Sequence, residues 1–127
     1  MNESPLSSVL PKLRTLHYLF SHSPTGNIIA HCLDFDIVAA GKELEEVDRK
    51  LSTLVKLYIE SSLAVANYSA LNTKAPERYW ALFQEAWDHA RIVKSTRLTF
   101  RLPEILPLEY PESHLGILAA MAATTPA

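Results

Sequence analysis

The feature that most constrains this chain is a change of apolar period at Gly41. Before it, Leu16, Tyr18 and Phe20 recur at every second position, while Thr15, His17 and Ser21 mostly fill the alternate ones. Alternation at period two places successive side chains on opposite faces and predicts a half-buried strand. Beyond Gly41 the spacing becomes three and four: Leu44, Val47, Leu51, Leu54, Val55 and Tyr58. Such steps stack side chains on one side of a helix. A chain that makes this switch folds strands first and then lays an amphipathic helix across them.

Between the first strand and Gly41, Ser23-Pro24-Thr25-Gly26-Asn27 carries turn chemistry, with Pro24 fixing φ and Gly26 or Asn27 free to take positive φ. Ile28 to Phe35 then reads as the second arm of a hairpin, and Ile37 to Ala40 as a short third strand. Glu43, Glu45 and Glu46 open the helix, where its dipole favours negative charge, and the helix is expected to reach about Leu63. A second helix is expected from near Pro76, since proline is tolerated in a first helical turn. Its apolar stripe is Tyr79, Leu82, Phe83, Ala86, Ala90 and Val93, widened by Trp80 and Trp87. Arg97 to Leu102 alternates again and predicts a fourth strand. Pro103, Pro107 and Pro111 then hold the chain away from helix, and His114 to Ala123 is expected to form a short helix started by Ser113.

The expected architecture is therefore α+β: an antiparallel three- to four-stranded sheet with helices on one face, in the order β-β-β-α-α-β. Residues 1–12 read as a flexible arm, 13–102 as the domain, and 103–127 as a Pro-rich extension. With 127 residues the chain suffices for one core. Twelve basic against fourteen acidic residues argue against a nucleic-acid surface built on overall charge. One cysteine, Cys32, permits no internal disulfide and fits a reducing compartment. The start Met1-Asn2-Glu3-Ser4-Pro5 lacks the pattern of a signal peptide, and no apolar run approaches the roughly 20 residues that span a bilayer. A cytoplasmic location without membrane association is the expectation.

The stretch from His31 to Val47, with Ala30, Cys32, Gly41 and Leu44-Glu45-Glu46 in its framework, resembles the central segment of HicB-like proteins. These show a strand ending in an Ala-x-Cys-like unit, an acidic-apolar link, a strand ending in glycine, and a Leu-Glu-Glu-Ala helix start. The likeness covers roughly Leu13 to Ser62. It implies a partial ribonuclease H-like sheet and a non-enzymatic role, in which an antitoxin masks a small ribonuclease toxin. The sequence departs from the family in three ways. Glu43 stands where a capping threonine is common, and it caps less well. The aromatic helix after Lys74 is longer than the usual link. Arg97 to Pro103 resembles the strand of a ribbon-helix-helix module, yet Pro107 and Pro111 interrupt the first helix that module needs, so direct DNA binding is not expected.

Candidate chemistry is sparse. His31, Cys32, Asp34 and Asp36 contain metal-ligating types, but adjacent His31 and Cys32 on a strand point to opposite faces and cannot share one ion. Asp34 and Asp36 invite comparison with two-metal nucleases, which need further carboxylates converging from separate elements. Histidines 17, 22, 89 and 114 are scattered, and the glycines at 26, 41 and 116 are too far apart for a phosphate loop. No catalytic, cofactor or metal residues are assigned. Tyr79, Trp80, Phe83 and Trp87 read as core, with a partner contact as the competing reading because Trp and Tyr dominate binding hot spots. A homo-oligomeric interaction domain and a degenerate nuclease using Asp34 and Asp36 stand as alternatives to the antitoxin.

Overall fold

The structure is a computed structural model and describes residues 15–101 and 112–123. It is an α+β fold in which five strands form one sheet: β1 (Thr15–His22), β2 (Ile28–Cys32), β3 (Ile37–Gly41), β4 (Ile92–Arg101) and β5 (Glu112–Met121). Helix α1 spans Leu44–Ala64 and α2 spans Glu77–Asp88, with a 3₁₀ turn at Tyr68–Asn72 between them. The sheet order is β3-β2-β1-β5-β4. β1 and β5 run parallel, and every other pairing is antiparallel. The element order up to β4 is the one the sequence predicts.

The β1–β2 hairpin closes as the Ser-Pro-Thr-Gly-Asn segment requires. Gly26 takes φ 86°, its N–H bonds the Ser23 carbonyl, and Asn27 N–H bonds Ser23 Oγ at 3.0 Å. Gly41 has a different duty. A Cβ placed there would meet Val47 Cγ2 at 2.9 Å, so glycine lets the first turn of α1 close onto the end of β3.

Helix α1 buries Val47, Leu51, Val55, Ile59 and Leu63 against the face of the sheet carrying Leu16, Tyr18, Phe20, Ala30, Cys32, Leu115, Ile117 and Ala119. Each such aliphatic side chain contributes about 1.5–3 kcal/mol on burial. Tyr18 reaches through this core to Ser52 Oγ at 3.1 Å. Leu51 sits in the seam as expected, but Leu54 does not: it is 44% exposed, at the flank of the helix. Lys94 Nζ meets Asp48 Oδ2 at 2.5 Å and ties α1 to β4.

Both helices end in a left-handed residue. Ala66 (φ 54°) and Ala90 (φ 57°) follow the C-caps Val65 and His89. Ala66 and Asn67 N–H bond the Leu63 and Ser62 carbonyls, and Ala90 and Arg91 N–H bond those of Trp87 and Ala86. This paired closure normally uses glycine at the left-handed position.

The structure corrects three expectations. The helices do not share one face: α2 packs on the opposite side, against Leu19, Leu33, Leu118, Ala120 and Ala122. One face is already filled by the 21-residue α1, so the broad aromatic stripe of α2 takes the other. The segment expected as a C-terminal helix is β5, inserted between β1 and β4. It is no extension of the domain but a central strand of it, which makes the sheet five-stranded and mixed. Ala90 and Val93 leave the α2 stripe, because the left-handed turn at Ala90 stops the helix and Val93 lies in β4. The stretch between the two helices contains the 3₁₀ turn, whose Leu71 is buried in the first core. The expected arm, and the prolines at 103, 107 and 111, lie outside the described residues.

Candidate functional site

Coverage of the two faces is unequal. The 12-residue α2 packs over β1 and β5. It leaves the same face of β2 and β3 open beyond its first turn. A groove of about 340 Å³ lies there, lined by Leu19, Ser21, Ile29 and His31 of the first two strands, Asp36 and Val38, and Pro76, Arg78 and Tyr79 where α2 begins.

Strand parity places His31 in this groove and Cys32 in the first core, as alternation demands. His31 is only 7% exposed, and its Nε2 lies 2.6 Å from Asp36 Oδ1. Asp36 reaches back because its backbone adopts φ 55° in the β2–β3 turn, a conformation that Asp tolerates better than most residues. The imidazole stands edge-on to the Tyr79 ring at 4.7 Å. The Arg78 guanidinium lies over the Tyr79 ring, 4.6 Å from its centroid, and donates to the phenol oxygen at 3.0 Å. Asp36, His31, Tyr79 and Arg78 thus form one connected row along an apolar floor.

A second histidine–aspartate pair lies across Leu33. His17 N–H donates to Asp34 Oδ2 at 2.6 Å, and His17 Nδ1 is 3.3 Å from Oδ1. The His17 ring packs edge-on against Trp80 and Phe83, at 5.1 and 5.2 Å. The two turn carboxylates therefore serve different histidines on different strands. Among the described residues no group of three or more His, Cys, Asp or Glu is arranged to hold a metal ion.

Burial pushes the Cys32 thiol well above its ordinary range, with the nearby Asp34 charge adding to the effect. The thiolate is thus suppressed, and with it nucleophilic reactivity. Burial likewise raises the Tyr18 phenol, against the opposing hydrogen bond from Ser52. Glu85 is lowered by its hydrogen bond with Arg91 at the end of α2.

The four aromatic residues singled out in the sequence all turn towards the sheet. Phe83 is buried; Tyr79, Trp80 and Trp87 are partly buried around it. Phe83 and Trp87 stack at 5.9 Å, and Trp80 Nε1 donates to the Ala75 carbonyl at 3.2 Å. Their packing roofs the second core, and the partly exposed Trp80 and Trp87 also line a groove shared with His17, Gln84 and Leu118. Sequence reading does not find the His31–Asp36 and His17–Asp34 pairs. It gives only their separations of 5 and 17 residues, and the pairing needs the turn at Asp36.

The other notable surface is the sheet edge. β3 is a terminal strand of sequence Ile-Val-Ala-Ala-Gly, with Val38 51% exposed. A groove beside it is lined by Ala39, Ala40, Arg49, Lys50, Thr53 and Leu54, and Leu57 lies exposed further along the helix. Lys50 Nζ approaches the Ala40 carbonyl at 3.4 Å. No helix among the described residues is long and apolar enough to cross a membrane. No protein-family model, curated protein or solved structure matches this chain.

Proposed function

We propose that this chain is a non-enzymatic protein-binding module, a HicB-like antitoxin or a stand-alone relative, that receives its partner along β3. The observation that carries the reading is the chemistry of that edge. Exposed edge strands are normally blunted by charge, proline or a bulge, because their unpaired N–H and C=O groups template another chain. β3 carries no charged residue and no proline, and its register with β2 runs unbroken from Ile37 to Gly41. Ala40, Leu54 and Leu57, interspersed with Arg49 and with Lys50, whose Nζ bonds the Ala40 carbonyl, continue the edge onto α1 and offer a strand-adding partner side-chain contacts as well. The likeness to HicB proteins, carried by Ala30, Cys32, Gly41 and Leu44-Glu45-Glu46, points to a small ribonuclease toxin as that partner.

Co-expression with the product of the adjacent reading frame tests this. A stable complex, lost in Ala39→Pro while far-ultraviolet circular dichroism stays native, is the expected result. No complex with that product, or one indifferent to the edge substitution, refutes the proposal. A second reading, a homo-oligomeric interaction domain, is favoured by the exposure of Leu54 and Leu57 on one flank of α1. Light scattering separates the two: a strict monomer at micromolar concentration removes the oligomer.

A further inference from the structure

The groove on the open half of the sheet has features that neither core packing nor edge pairing uses. Arg78 is exposed, and its guanidinium is held by the Tyr79 ring and phenol oxygen rather than by a carboxylate. No acidic partner of Arg78 is present among the described residues. An arginine oriented by an aromatic neighbour presents its planar fork ready for bidentate pairing with a carboxylate. The one acidic group lining the groove, Asp36, is engaged by His31 at 2.6 Å. Ser21 and His31 are buried polar residues on the same wall. Between the polar groups the floor is Leu19, Ile29 and Val38, of which Val38 is largely uncovered.

We infer that this groove binds a carboxylate attached to an apolar body, with the carboxylate on Arg78 and the apolar part on Ile29 and Val38. A groove of this size lies at the small end of the range that ligand sites occupy. The carboxylate can come from a small organic acid or from the free C-terminus of an extended peptide, and both present the same chemistry to Arg78. The site is separate from partner pairing at β3, because it is built on the face of the sheet rather than on its edge.

The test is a heteronuclear NMR titration of the full chain with two probes. One is 3-phenylpropanoate; the other is an N-acetylated tetrapeptide ending in leucine, as the free acid and as its amide. Saturable shifts at Ser21, Ile29, His31, Val38 and Tyr79 are expected with one or both acids and none with the amide. The responding acid identifies the source. Arg78→Ala, at an exposed position that leaves the fold intact, is expected to weaken binding by about tenfold or more, and Arg78→Lys to recover only part of it because the fork is lost. Absence of saturable shifts with both acids up to about 10 mM, or shifts that Arg78→Ala leaves unchanged, overturns the assignment.

Discussion

Leu51 and Leu54 lie one turn apart on α1 and differ in what surrounds them, so their replacement tests the register of the helix. Leu51 is fully buried in the first core, whereas Leu54 is 44% exposed at the rim of the β3 groove. Leu51→Ala removes three carbons from a packed site. At about 0.8 kcal/mol per methylene the transfer loss is about 2.4 kcal/mol, and the unfilled cavity raises it to about 3–4 kcal/mol. Leu54→Ala forfeits about half that transfer energy and leaves no cavity, since water occupies the space, so about 1 kcal/mol is expected. Urea denaturation reads the difference. With a slope of about 2 kcal/mol/M, the midpoint should fall by roughly 1.5–2 M for Leu51→Ala and by about 0.5 M for Leu54→Ala. Equal shifts, or a larger loss at Leu54, would mean that α1 presents another stripe to the sheet and would refute the packing described here.

Three further outcomes follow from the same packing. Ala66→Gly and Ala90→Gly should each stabilise the protein by up to about 1 kcal/mol, because each relieves a left-handed alanine at a helix end, and thermal melts would show the rise. Ile117→Pro should abolish cooperative unfolding in the same assay, since proline in a strand flanked by β1 and β4 deletes a ladder bond; a surviving transition would contradict the central place of β5. Cys32 should resist alkylation at pH 8 until denatured, as mass spectrometry would record. Its raised folded-state pKa leaves stability intact below the ordinary thiol value of 9.0 and removes it as pH climbs beyond. About 1.4 kcal/mol is lost by pH 10, and Cys32→Ala should flatten that alkaline decline.

What the residues reveal on their own depends on whether an element has one buried face or two. β1 and α1 are legible because polar residues punctuate them: Thr15, His17 and Ser21 leave the first strand in alternation even though Leu19 also enters the second core, and Glu45, Arg49 and Lys56 break the helix into a stripe. β5 is illegible for the opposite reason. It is covered by α1 through Leu115, Ile117 and Ala119 and by α2 through Leu118 and Ala120. An apolar run buried on both sides has no period, and an Ala-rich one favours helix by propensity. The end of α2 misleads similarly, because Ala90 is a good helix former placed where the backbone turns left-handed. The second core could not be foreseen without β5, since Leu118, Ala120 and Ala122 supply most of its sheet side. The histidine–aspartate pairs are hidden by register: only once β2 turns at Asp36 does a carboxylate fall within 2.6 Å of His31.

The mismatch in helix length ties fold to function. A five-stranded sheet presents two faces of equal breadth, but α1 has 21 residues and α2 has 12, lengths of about 31 and 18 Å at 1.5 Å per residue. The longer helix seals its face; the shorter one packs over β1 and β5 and stops. The deficit falls on β2 and β3, where Ile29 and Val38 are left incompletely covered and β3 ends the sheet. Natural sequences cover such a margin with charge when nothing is to bind there. Here the charge is instead gathered at one end, in Arg78 and in the Asp36–His31 pair, and the margin between is apolar. Extending α2 to cover that margin would bury Ile29 and Val38, strengthen the fold and abolish the groove, so the short helix is the feature on which the proposed carboxylate site depends.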